Sequence, residues 1–154
     1  MPLEHHRDGF TVSTDPGRLD LGAIHAFLST SYWAQGIPQE LLERAIRNSL
    51  CFGLYEGERQ LGLARVITDG ATFAYLCDVY VLPEMRGKGL GTWLMECVMA
   101  HPDLQGLRRF SLVTRDAHEL YRPFGFTEIA RPQRHMEISR PGLYKEGPSS
   151  PRSG

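Results

Sequence analysis

The chain has 154 residues, of which 42% are hydrophobic and 23% charged, and its formal net charge is −1. That length suits one domain able to remove roughly two-thirds of its unfolded surface from water, and the composition excludes a disordered or fibrous chain. The near-neutral balance excludes a broad basic surface and argues against nucleic acid or an anionic membrane as partner.

The first residues, Met1-Pro2-Leu3-Glu4-His5-His6-Arg7, lack the apolar core of a signal peptide, and no later run reaches the length of a membrane span. Residues 10–13 read as a short strand. Across 19–33, Leu21, Ile24, His25, Phe27 and Leu28 recur at helical spacing behind Asp20, a capping residue. Pro38 suits a first helical turn, and 40–50 places Leu41, Leu42, Ala45 and Ile46 on one face. Residues 51–55 and 61–67, joined across Glu56-Gly57-Glu58-Arg59, predict a hairpin, with a long strand over 72–81 beside it. A helix over 92–100 ends at His101-Pro102. Residues 109–114 read as another strand. Asp116-Ala117-His118-Glu119 has the form of a capping box opening a short helix through Tyr121, which Gly125 ends. Residues 126–129 and 136–138 read as closing strands.

The order β, α, α, β, β, β, α, β, α, β, β predicts a mixed sheet with helices rather than a regular βαβ repeat. One domain is expected over 1–144, followed by a flexible tail over 145–154 of linker composition. Cys51, Cys77 and Cys97 stand singly among apolar neighbours without metal-ligand spacing, which points to a reducing, cytoplasmic setting.

The most informative segment is Arg86-Gly87-Lys88-Gly89-Leu90-Gly91, between the strand over 72–81 and the helix opening near Thr92. Alternate glycines free the backbone for close approach and unusual dihedrals. The helix start turns unpaired N–H groups and a positive dipole end toward the loop. With Arg86 and Lys88 the segment makes a seat for phosphate or pyrophosphate. A Walker loop is excluded because Lys88 is followed by Gly89 rather than a hydroxyl residue. A dinucleotide fingerprint is excluded because the spacing is Gly-x-Gly-x-Gly and no βαβ unit surrounds it.

Arg86, Gly89 and Gly91 form Arg-x-x-Gly-x-Gly with Pro83 just upstream, and this resembles the acetyl-coenzyme A loop of the GCN5-related N-acetyltransferases (GNAT). Ala117-His118-Glu119-Leu120-Tyr121-Arg122-Pro123-Phe124-Gly125-Phe126 is similar to that family's late helix, Ala-x-x-x-Tyr-x-x-x-Gly-Phe. The resemblance covers residues 10–140. It implies an α/β (α+β) fold with a mixed, mostly antiparallel central sheet of about six to seven strands flanked by about four helices.

The resemblance also implies acetyl transfer from acetyl-coenzyme A to an amine of a small molecule or protein, by direct attack in a ternary complex. Main-chain amides from Gly87 through Lys88, Gly89, Leu90 and Gly91 to Thr92 would take the pyrophosphate, with charge from Arg86 and Lys88. The strand ahead of the loop, Val79-Tyr80-Val81, would pair with the pantetheine arm beside a β-bulge or splay. Tyr121 falls at the position of the family's tyrosine acid, which donates a proton to the leaving thiolate; the other reading of a buried tyrosine there is core packing.

The attacking amine must lose a proton. Asp78 is the one carboxylate where the family often has an acidic pair, and it is read either as the base or as a structural partner of a cation such as Arg65. Cys77 offers an acyl-cysteine route, but no histidine adjoins it and apolar surroundings raise a thiol's pKa. Thr114, where the family often has asparagine, would bond cofactor or cap the helix. His118 is expected on an exposed helix face. Tyr32 and Trp33 are read as acceptor-binding aromatics, with ordinary packing or a homodimer contact as the other readings. A non-catalytic coenzyme A-binding sensor is the alternative function.

Overall fold

A computed structural model describes residues 1–145. The expected tail over 145–154 lies, apart from Lys145, outside the described residues. Six strands form one sheet in sequence order, β1 (Glu4–Arg7), β2 (Phe10–Ser13), β3 (Leu50–Glu56), β4 (Arg59–Thr68), β5 (Phe73–Val81) and β6 (Arg109–Leu112). Neighbours are antiparallel throughout except β5 and β6, which run parallel. Four helices cover the sheet: α1 (Leu21–Leu28), α2 (Gln39–Arg47), α3 (Leu90–Ala100) and α4 (His118–Tyr121). The mixed, mostly antiparallel fold expected from the sequence is the fold observed.

The two faces of the sheet are packed differently. On one, α3 lays Leu90, Trp93, Leu94, Met95, Cys97 and Val98 over Phe52, Leu54, Ala64, Val66, Ala74 and Leu76. Each fully buried leucine there contributes about 2 kcal/mol. On the other, α1 and α2 set Ile24, Leu28, Leu42 and Ile46 against Cys51, Leu63 and Tyr80. Central strands buried on both faces lose the alternating pattern of a half-exposed strand, which is why β3 and β4 read as near-continuous apolar runs.

Helix ends follow local side-chain chemistry. Asp20 Oδ1 accepts from Ala23 N at 3.0 Å and starts α1. α1 stops at Leu28, short of the expected extent to residue 33, because Thr30 Oγ1 and Ser31 Oγ donate back to the carbonyls of Phe27 and Leu28 and turn the chain. α2 stops at Arg47 as Asn48 Nδ2 and Ser49 Oγ donate to the carbonyls of Arg44 and Ala45.

Three expectations are corrected. β1, Glu-His-His-Arg, has no apolar residue to announce it and is formed by pairing with β2. The capping box at Asp116 does not form: α4 opens at Ala117 with no side-chain cap, and Thr114 Oγ1 accepts from Ala117 N at 3.0 Å in the turn just ahead of the helix. Residues 126–129 and 136–138 are not strands. Glu128 is drawn back onto Arg122 at 2.6 Å, and Pro132–Arg134 makes a single 3-10 turn.

Candidate active site

The site is organised by β5. Its hydrogen-bonded pairing with β6 ends at Leu76 opposite Leu112, whereas its pairing with β4 continues to Val81. Between Cys77 and Val81 the strands part, and main-chain groups on that edge of β5 have no strand partner among the described residues. Such groups need a partner, so the wedge is a ready place for an extended ligand.

Within the same stretch β5 carries a bulge. Leu63 faces Tyr80 and Arg65 faces Cys77, so two steps on β4 match three on β5. The additional residue is Asp78, whose φ is +51°, in the left-handed region that aspartate tolerates better than most side chains. The bulge or splay implied by the family resemblance is therefore present, in both forms.

At the far end of β5 stands the glycine loop. Gly87 (φ +84°) and Gly89 (φ +75°) are both left-handed, and a Cβ on either would meet nothing within 4 Å. Their requirement is conformational, and the space around them is open. Gly89 is the N-cap of α3 and supplies no side-chain cap, so the first-turn N–H groups face the loop without a side-chain acceptor. Lys88 and Thr92 are exposed, Leu90 is buried in the core and Gly91 is half-buried. Arg86 donates through Nε to the Val81 carbonyl at 3.1 Å, which fastens the loop to the end of β5. Val79 and Val81 join the α3-side core, and Tyr80 points to the other face, where it stacks on Phe27 at 4.0 Å. These three can serve a ligand in the wedge through main-chain atoms.

Asp78 turns its carboxylate toward the α1–α2 connection. Oδ2 accepts from Arg65 Nε at 2.7 Å and Oδ1 accepts from Trp33 Nε1 at 2.7 Å. Arg65 Nη1 donates to Ser49 Oγ at 3.0 Å, so the chain Ser49–Arg65–Asp78–Trp33 links β4, β5 and the loop after α1. Trp33 meets Tyr32 edge-on with centroids 5.0 Å apart, and Arg115 lies 3.8 Å above the Tyr32 ring. Charge and aromatic face thus converge where the sequence suggested an acceptor surface. The pairing of Asp78 with Arg65 was one of its two expected readings; the parts played by Arg115 and Ser49 were not foreseen. Burial pushes the Cys77 thiol up to about 12, so it stays protonated.

Tyr121, at the end of α4, is 8% exposed and sits edge-on to Phe126. Its pKa is pushed up to about 12, first by burial and then by the nearby Tyr32 hydroxyl. Its own hydroxyl has no hydrogen-bond partner among the described residues. His118, beside it in sequence, is exposed as expected. A cleft of about 890 Å³ is walled by Tyr121 and Thr114 but by no residue of β5 or the glycine loop. It lies along β6, outside the wedge.

A sheet that splits at a parallel strand pair, with an uncapped glycine-rich helix start at one end of the split, is the architecture of an acyl-group transferase. The comparisons agree. The model of the acetyltransferase (GNAT) family matches residues 22–126. A Gibberella zeae protein named as a candidate acetyltransferase is 41% identical, the match covering 78% of this chain and 80% of the relative. A GNAT-family structure from Xanthomonas campestris pv. campestris is 57% identical, with a TM-score of 0.87, covering 90% of this chain and 99% of its own. A more distant fold neighbour from Clostridium acetobutylicum was solved with acetyl-CoA; it is 15% identical, with a TM-score of 0.57, over 90% of this chain and 96% of its own. The chain belongs to the GNAT family of acetyltransferases. Among the described residues no helix is long and apolar enough to cross a membrane.

Proposed function

We propose that this protein transfers an acetyl group from acetyl-CoA to a primary amine of a small molecule or protein, by direct attack in a ternary complex. One observation carries the reading: the parting of β5 from β6 leaves main-chain groups without a strand partner, among the described residues, on the stretch that leads to the N-terminus of α3, which has no side-chain cap. The donor supplies an activated thioester. Residues 87–92 would hold its pyrophosphate through amides and the helix dipole, aided by Arg86 and Lys88. The main chain of 79–81 would pair with its extended arm, and Thr114 is a further donor toward it. A fold neighbour solved with acetyl-CoA supports the choice of ligand.

Tyr121 would act on the leaving group. With its pKa near 12 it stays neutral at pH 7 and is a hydrogen-bond donor. Full transfer of its proton to a thiolate whose conjugate acid has a pKa of about 8.5 is uphill. Its role is therefore to stabilise developing charge on sulfur. Each oxygen of Asp78 already accepts one hydrogen bond and retains capacity for a second. Asp78 would draw a cationic amine toward Tyr32 and Trp33 and accept its proton, directly or through water.

Calorimetry with acetyl-CoA, followed by thiol release across an amine panel, tests the proposal. Saturable binding with amine-dependent release is expected; an absence of saturable affinity overturns it. Binding without release by any amine would instead support a coenzyme A sensor, a reading favoured by the commitment of both Asp78 oxygens to Arg65 and Trp33. Longer acyl-CoA donors in the same assay define the chain length accepted.

A further inference from the structure

The wedge between β5 and β6 has a charged side chain on each bank. Pairing of the two strands ends at Leu76 opposite Leu112; Asp78 follows on β5, and Arg115 follows on the chain that leaves β6. The α1–α2 connection reaches both. Trp33 Nε1 donates to Asp78 Oδ1 at 2.7 Å, the Trp33 and Tyr32 rings meet at 5.0 Å, and the Arg115 guanidinium lies 3.8 Å above the Tyr32 ring. Laid end to end, these contacts keep the carboxylate and the guanidinium within the span of one small molecule.

The two charges are not equally committed. Asp78 is bonded to Arg65 at 2.7 Å, and their side chains are 9% and 16% exposed. Arg115 pairs with Asp116, its neighbour in sequence, at 3.7 Å, and these side chains are 65% and 67% exposed. A pair so exposed competes weakly with a ligand for the guanidinium. Contact with the Tyr32 ring limits where the guanidinium can go. Its N–H groups meanwhile keep the planar fork that matches a carboxylate or phosphate.

The phosphates of an acyl-CoA do not call for this cation. The seat described for them, residues 86–92, lies beyond Val81 at the far end of the same stretch of β5. The aromatic pair instead adjoins the reacting end of the site, since Tyr32 bears electrostatically on Tyr121.

We propose that the acyl acceptor is a small zwitterionic amine, with its ammonium drawn to Asp78 and its carboxylate or phosphate held by Arg115. Tyr32 and Trp33 would lie against the atoms between the two charged ends. The proposal rests on the acyl-transfer reading and narrows it, making Arg115 a specificity-determining residue. A diamine is disfavoured, because its second ammonium would face the guanidinium.

Matched pairs of amines test it: amino acids against their amides, and aminoalkyl phosphates against the corresponding amino alcohols, assayed for thiol release from acetyl-CoA. In at least one pair the acidic member is expected to have a kcat/KM roughly tenfold above its uncharged partner. Arg115→Gln is expected to bring that ratio close to one by raising KM. Arg115→Lys, which keeps the charge without the fork, should leave an intermediate ratio. Acetyl-CoA affinity by calorimetry should match between wild type and Arg115→Gln. No preference for any acidic member, a ratio that survives Arg115→Gln, or an acetyl-CoA affinity that falls with it would each overturn the assignment. The same pairs, titrated calorimetrically in the presence of excess coenzyme A, read binding without turnover. Arg115-dependent binding of acidic amines with no thiol released from any amine would sink acyl transfer and leave the anion site standing. Thiol release without Arg115-dependent binding would do the opposite, and the absence of both would overturn the two together.

Discussion

The glycine loop and the Asp78 cluster stand at two ends of one stretch of β5 and are built from opposite materials. The loop presents main-chain amides, two left-handed glycines and open space. The cluster presents side chains locked to one another, with Ser49, Arg65, Asp78 and Trp33 joined by bonds of 2.7–3.0 Å. A common donor can be gripped by backbone, which no substitution of a side chain removes. An acceptor surface made of side chains can change with sequence while the strand beneath it stays.

Asp78→Asn would strain that contrast most. It keeps the shape but removes the charge opposite Arg65, whose side chain is only 16% exposed, and leaves a buried cation without its anion. A loss of about 3 kcal/mol is expected in chemical denaturation. A stability unchanged from wild type would show that the cluster is not held by charge. Tyr121→Phe comes next: turnover should fall roughly 10²-fold with acetyl-CoA affinity nearly intact. An unaltered kcat would take Tyr121 out of the reaction.

At the other end, Gly89→Ala adds a Cβ that touches nothing yet must adopt φ +75°. The strain of about 1–2 kcal/mol should weaken acetyl-CoA binding on the order of tenfold by calorimetry. Equal affinity would mean that the loop's conformation does not matter to the donor. The smallest effect is a pH dependence of stability that belongs to the cluster and core, since burial pushes the thiols of Cys51 and Cys77 up to about 12 and that of Cys97 to about 11. These groups hold their protons more tightly folded than unfolded. Stability is therefore full below the ordinary thiol value of 9.0 and falls as the pH rises toward the folded values. Thermal melts between pH 8 and pH 10 should show Tm declining over the upper part of that range.

The loop was legible in sequence because its demands are local: a positive φ asks for glycine, and a helix start follows within the same few residues. The long central strands were legible because both faces are buried. What escaped was set by partners distant in sequence. β1 exists through its pairing with β2, and no residue in it signals a strand. The Asp78 bulge depends on the register with β4, which one strand read alone does not contain. Asp116-x-x-Glu119 satisfied a local rule, yet α4 opens at Ala117 without a side-chain cap. At the Asp78 end Tyr32, Trp33 and Asp78 were each singled out, yet the hydrogen bond from Trp33 to Asp78 spans 45 positions and had no local trace.

The strand order also has a kinetic meaning. β1 to β5 are joined neighbour to neighbour by antiparallel pairing, although α1 and α2 intervene between β2 and β3. β6 must wait for a crossover through α3 before it can pair in parallel with β5, and β2 meets β3 only across α1 and α2. Contacts between segments far apart in sequence carry a larger loop-closure cost and form late. Pulse-labelled hydrogen exchange during refolding should thus find the amides of β3 and β4 protected before those of β6. The wedge beside β5 opens where β6 arrives, so it takes shape only once that crossover has closed.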